Sequence, residues 1–261
     1  MPTPDVFPAI PPGGAPLGDV VFVPGTSYPR DRPIAQAFLT RLLPRLFAQG
    51  ATRFVSYEDL IADRGAPRAW SSVEARLALL EAAAPADRSG TVLIGRSSGA
   101  QVVTRFACHY PVAAVICLGY PFRHPDHRHE PDRTRHLRRL NTPTLIIQGL
   151  HDAYGGLDEV LDHVLSDSIR LHFVEAEHAF QLSAEAWDSV AAAAADFVRD
   201  RMIPVPFHGL AFDEDFYRAR HPDIAAAIAA GQVASGAAHF LRHGQREGRV
   251  FRLLPAGPGA P

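Results

Sequence analysis

The chain has 261 residues, 47% hydrophobic and 21% charged, and its 28 acidic against 26 basic side chains leave a formal charge of −2. That length suits one full domain with a small appendage, and that composition suits an ordinary buried core. The balance gives no electrostatic basis for binding nucleic acid or an anionic membrane, and no run approaches the roughly 18 apolar residues of a membrane span.

Residues 1–17 are rich in Pro and Gly and read as a flexible arm. Met1-Pro2-Thr3-Pro4-Asp5 has no basic stretch leading into an apolar run, so no secretory signal is expected. Asp19–Val23 is a core strand, stopped by Pro24-Gly25-Thr26-Ser27. Phe38, Leu42, Leu43, Leu46 and Phe47 mark an amphipathic helix over 35–49, closed by Gly50. A second strand over 53–57 and a helix over 72–84, with Val73, Leu77, Leu79 and Leu80 as its apolar face, lead to a third strand. Strands over 111–119, 142–149 and 169–174 follow, with helices over 156–165 and 185–201. Such alternation predicts an α/β fold, a doubly wound and mostly parallel sheet covered on both faces.

The third strand runs through Thr91-Val92-Leu93-Ile94-Gly95-Arg96-Ser97-Ser98-Gly99-Ala100 into a helix. Gly-x-Ser-x-Gly between strand and helix is the pattern of a nucleophile elbow, which presents a serine hydroxyl on a strained turn. The flanking glycines have a steric reason, since side chains there would collide across the turn. Only Ser97 fits the frame, because Ser98 has Arg96 and Ala100 at the same offsets. Ser98 is instead the residue whose backbone N–H faces a developing oxyanion at the helix N-terminus.

A serine hydroxyl needs a neutral imidazole to take its proton and a carboxylate to orient that imidazole. Asp152 follows the fifth strand and His178 the sixth, so the chain order is Ser, Asp, His. Asp158 is a second candidate acid, and Asp152 also reads as a helix cap. His151 adjoins the acid and is expected to point away from it.

On these residues the chain from about 18 to 202 resembles the α/β-hydrolase superfamily, notably its small dienelactone-hydrolase-like or KANL-type members. The resemblance rests on Gly95–Gly99, Leu118-Gly119-Tyr120-Pro121-Phe122, the run from Pro143 to Gly149 with Asp152, and His178. It implies the α/β-hydrolase fold, with Ser97 as nucleophile, Asp152 as acid and His178 as base. It also implies oxyanion donors from Ser98 and from the loop after the first strand. Such proteins often carry His-Gly there, whereas this chain has Pro24-Gly25-Thr26. A backbone donor does not need the histidine, so Thr26 N–H is the expected second donor. The expectation is an ester or thioester hydrolase working through an acyl-enzyme on a small-molecule acyl substrate, in the cytoplasm, with no cofactor and no metal. A non-catalytic binding or scaffold protein, and a C–C or peptide-bond hydrolase on the same triad, are the alternatives.

Tyr28, Arg96 and Tyr120 are substrate-binding candidates by position. The polar stretch over 120–139 stands where a cap is often inserted; His124, His127 and His129 with Asp126 and Glu130 read as a solvated lid segment rather than a coordination sphere. Cys108 and Cys117 read as small buried hydrophobes. All 26 basic side chains are arginine, which with the alanine content suggests a GC-rich bacterial genome. After a linker over 203–210, residues 211–252 resemble a small helical module found beside bacterial glycosyltransferases. The resemblance rests on Phe212-Asp213, Tyr217, Pro222-Asp223, His239-Phe240-Leu241, Gly244 and Glu247-Gly248-Arg249. Phe216, Tyr217, Ile224, Ile228 and Phe240 are its expected core, a protein or carbohydrate contact is one expectation for it, and 253–261 reads as a flexible tail.

Overall fold

A computed structural model describes residues 17–57, 59, 72–84, 86–126, 130–200, 210–233, 235–244, 247 and 249–255; nearly all of the predicted arm and linker lie outside the described residues. In chain order the main elements are β1 (Val20–Val23), α1 (Arg32–Ala48), β2 (Phe54–Ser56), α2 (Val73–Ala83), β3 (Val92–Arg96), α3 (Ser98–His109) and β4 (Ala114–Leu118). Then come β5 (Thr144–Gly149), α4 (Leu157–Leu161), β6 (Ile169–Val174) and α5 (Ala184–Asp200).

All six strands pair in parallel, in the order β2-β1-β3-β4-β5-β6. Their near-continuous Val, Ile and Leu runs are what a sheet buried on both faces demands. Alternation along the strands sorts the side chains into two layers. Val20, Phe22, Val92, Ile94, Ile116 and Ile147 meet α1 and α5; Val21, Val23, Leu93, Val115, Cys117 and Ile146 meet α2 and α3. Helix α1 begins three residues before its predicted start at 35 because Pro33 fits the first helical turn, where its missing N–H has no partner to lose. No helix among the described residues is long and apolar enough to cross a membrane.

From β1 the chain runs outward to the edge strand β2, then returns past β1 to β3. The chain thus leaves these two neighbours in opposite directions. A crevice opens at their carboxyl ends, the usual ligand position in such sheets. Ser97 sits there.

The polar stretch after β4 forms two 3₁₀ turns, Pro131–Arg133 and Arg135–Arg139, with Leu137 buried; His127 and His129 lie outside the described residues. Cys108 and Cys117 are free thiols, and burial pushes Cys108 up to about 11.

Near the C-terminus, α6 (Glu214–Arg220), α7 (Pro222–Ala229) and a short helix at Gly236–His239 are joined by a strand pair the sequence did not announce. Antiparallel β7 (Leu210–Phe212) and β8 (Leu253–Pro255) stand where a linker end and a flexible tail were expected. Three-residue strands are too short to show a period of two. Asp213 caps α6 by accepting from Phe216 N at 2.9 Å. Tyr217, Ile224 and Phe240 are buried, whereas Phe216 is half-buried beneath the Arg252 guanidinium.

Candidate active site

Ser97 has φ 51° and ψ −124°, a conformation that costs a non-glycine residue about 1–3 kcal/mol. Its surroundings impose it. A Cβ on Gly95 would lie 2.6 Å from both Ala100 Cα and Gly99 O. A Cβ on Gly99 would strike the Val23 carbonyl and come within 2.6 Å of the Pro24 carbonyl. The second glycine is therefore dictated by the end of β1 as much as by the turn itself.

The turn aims Ser97 at the loop after β6. His178 Nε2 lies 3.0 Å from Ser97 Oγ, and His178 Nδ1 lies 2.8 Å from Asp152 Oδ2. The Asp152 side chain is fully buried. It also accepts from Tyr154 N–H at 2.8 Å and Gln148 Nε2 at 3.1 Å, so neither oxygen is left unpaired. An ionised carboxylate only accepts, so Nδ1 carries the imidazole proton and Nε2 is the nitrogen that accepts from the serine. His151 instead meets Glu175 at 2.6 Å on the surface, and Asp158 is exposed in the first turn of α4.

Gln148 and Tyr154 were not singled out in the sequence. Gln148 Nε2 also donates to Gly155 O at 2.7 Å, and its Oε1 accepts from Tyr120 N–H at 2.8 Å, which ties the β4 and β5 loops to the acid. A glutamine ending the otherwise apolar run Leu145-Ile146-Ile147 is the signal that marked it. The Tyr154 ring packs 4.5 Å from the His178 ring.

Arg96 is buried at 2% exposure. Its Nη2 donates to His178 O at 2.6 Å and its Nη1 to Leu118 O at 3.2 Å, while Nη1 lies 3.3 Å from His178 Nε2. Phe180 covers the guanidinium at 5.5 Å. Burial pulls its pKa below the usual arginine value, against the opposing pull of Asp31 and Asp152. A cavity of about 640 Å³ opens between the β1–α1 loop, at Ser27 and Asp31, and the His178 loop, with Arg96 in its wall. Tyr120 is fully buried: its hydroxyl donates to Arg133 O beneath the 3₁₀ turns, away from that cavity. Tyr28 is half-buried in the β1–α1 loop, its N–H donating to Gly25 O at 3.2 Å.

Ser98 is the first residue of α3, so its backbone N–H has no intrahelical partner. Thr26 N–H donates to Ser98 Oγ at 3.0 Å. Arg76, from α2, donates to the same oxygen through Nη1 at 3.0 Å and to Pro24 O through Nη2. Arg76 is 2% exposed and gave no signal in the sequence.

The family described as alpha/beta hydrolase domain matches residues 21–201. None of the curated proteins matches the chain in sequence. Among solved structures, a protein of the alpha/beta hydrolase superfamily from Xanthomonas campestris pv. campestris is 20% identical, with a TM-score of 0.47 over 70% of this chain and 99% of its own. The esterase domain of a Rhodothermus marinus protein is 18% identical, with a TM-score of 0.45 over 73% and 90%. A monoacylglycerol lipase of Paleococcus ferrophilus is 12% identical, with a TM-score of 0.46 over 72% and 97%. With the family match spanning most of its length and the parallel sheet described above, the chain belongs to the alpha/beta hydrolase family.

Proposed function

We propose that the protein is a serine hydrolase that cleaves an ester or thioester through an acyl-enzyme on Ser97. The observation that carries this reading is the unbroken chain Ser97 Oγ, His178, Asp152, with contacts of 3.0 and 2.8 Å. Ser97 Oγ attacks the acyl carbon as His178 Nε2 takes its proton. The tetrahedral intermediate then collapses, with the imidazolium returning that proton to the leaving alcohol or thiol. Water, deprotonated by His178 in turn, attacks the acyl-enzyme; the acid leaves and Ser97 is restored. Asp152 holds the imidazole in the required tautomer and stabilises its charged form. Arg96 anchors the His178 main chain, so it serves as a positioning residue for the base.

A fluorophosphonate probe tests this, with the labelled residue mapped by mass spectrometry. Modification at Ser97, abolished by His178→Ala, is expected. Ser97→Ala should lower turnover of an activated ester by about 10⁶-fold. A folded protein that takes no label, or a Ser97→Ala variant with full turnover, would leave a non-catalytic use of the fold as the better account.

A further inference from the structure

The expected second oxyanion donor, Thr26 N–H, is already occupied. It donates to the Ser98 hydroxyl oxygen at 3.0 Å, and Arg76 Nη1 donates to that oxygen at the same distance. A serine hydroxyl has two acceptor lone pairs and one proton to give. Both lone pairs of Ser98 Oγ are therefore filled, from the β1–α1 loop on one side and from α2 on the other. No hydrogen bond among the described residues uses its proton. That O–H sits on the residue whose backbone N–H opens α3 beside Ser97, and the residue is only half-buried.

We propose that the Ser98 hydroxyl, held and polarised by Arg76, is itself an oxyanion donor, acting beside the Ser98 backbone N–H. The inference rests on the serine-hydrolase reading of the site. Arg76 is charged at any working pH, and at 2% exposure little water screens it. A hydrogen bond from a buried cation makes the recipient hydroxyl a stronger donor, because chains of hydrogen bonds polarise one another. The negative charge it would meet exists only as the carbonyl oxygen becomes tetrahedral. The interaction is thus worth more in the transition state than in the bound substrate, which is the condition for raising kcat rather than lowering KM. Thr26 contributes at one remove, by fixing the hydroxyl oxygen. Arg76 is a positioning residue: its second donor holds Pro24 O and thereby the loop that carries Thr26.

Steady-state hydrolysis of p-nitrophenyl butyrate by Ser98→Ala decides the matter, because the rival arrangement has the opposite sign. If the hydroxyl is the donor, kcat falls by about 10²–10³-fold with KM nearly unchanged, and Ser98→Thr restores most of it. If Ser98→Ala matches or exceeds the parent, Thr26 N–H, freed from Ser98 Oγ, is the donor and the proposal is overturned. Arg76→Met should lower kcat in the parent and add little to Ser98→Ala, with Arg76→Lys intermediate; losses that simply add would make Arg76 a loop clamp and remove the relay. Should Arg76→Met fail to fold, the Ser98 pair decides alone. Fluorophosphonate labelling of Ser97 in the parent separates the two levels: a parent that takes no label refutes the triad, whereas a labelled parent with an undiminished Ser98→Ala refutes only the hydroxyl.

Discussion

In the C-terminal module the rings pack inside and the charges lie outside, save Asp213, which is buried where it caps α6 and pairs with Arg252. Arg249 spans Asp223 and Glu247 at 2.6 Å on the surface, while Phe240 packs 4.0 Å from Phe251 and 5.7 Å from Phe212. At the carboxyl edge of the sheet the arrangement is inverted. Arg76, Arg96, Gln148 and Asp152 are all withdrawn from water, and each is held by hydrogen bonds from neighbouring loops. Desolvating such groups is costly unless every one finds a partner. The module keeps nearly all of its ion pairs where solvent still reaches them, at low electrostatic cost. The sheet edge accepts that cost and gains side chains that cannot rotate away.

The sharpest way to test this contrast is Asp152→Asn. Loss of the carboxylate that fixes the imidazole should reduce kcat by about 10⁴-fold. The melting temperature should move by only a few degrees, because losing a buried charge offsets setting an amide N–H against one of the donors the carboxylate accepts from. A clear fall in melting temperature would mean that the buried acid is a stability element like any other, and the contrast would break.

His136 offers a smaller effect with a definite pH window. Burial, reinforced by the nearby Arg105 and His109 charges, pushes its pKa down from the usual 6.5 to about 4. The geometry agrees. Thr104 gives its hydroxyl proton to Ala100 O at 2.8 Å, so His136 Nε2–H must be the donor in the 2.9 Å contact with Thr104 Oγ1. Nδ1 is buried without a partner among the described residues, and a proton there would be stranded. Between pH 6.5 and 4 the unfolded chain therefore binds a proton that the native one refuses. Stability on the order of 3 kcal/mol, complete above that window, should drain away as pH falls through it. Melting temperatures across this range should drop more steeply for the parent than for His136→Gln; parallel slopes would remove His136 as the cause.

What was legible in the sequence follows the same division. Strand runs and helical stripes are local patterns, so the parallel sheet and the elbow could be read from them directly. The order Ser97, Asp152, His178 names the three side chains now seen within hydrogen-bond reach. The supporting groups are a different matter. Arg76 stands in Val73-Glu74-Ala75-Arg76 like any charge on a helix, and only the return of α2 beneath the β1–α1 loop buries it. Tyr120 follows a strand end as pocket residues do, yet the 3₁₀ turns close over it. The occupation of Thr26 N–H is a matter of one serine rotamer, which no spacing encodes. The β7–β8 pair escaped because its register depends on contacts across the whole module.

The smallest expected effect belongs to the module. Hydrogen bonds to Asp223 and Glu247 raise the Arg249 pKa above the usual arginine value, against the opposing pull of burial. Solvent nonetheless screens both acids, which are more than two-fifths exposed. Exposed pairs of this kind contribute little, since ordering long side chains offsets the attraction. Arg249→Ala should accordingly shift the melting temperature by about 2 °C or less, with the difference shrinking further in 1 M salt. Turnover of an activated ester should not change. A large, salt-independent loss would require the three side chains to act as a buried network, and the module would then resemble the sheet edge it is set against. A loss of turnover without a loss of stability would instead tie this surface to the catalytic cleft.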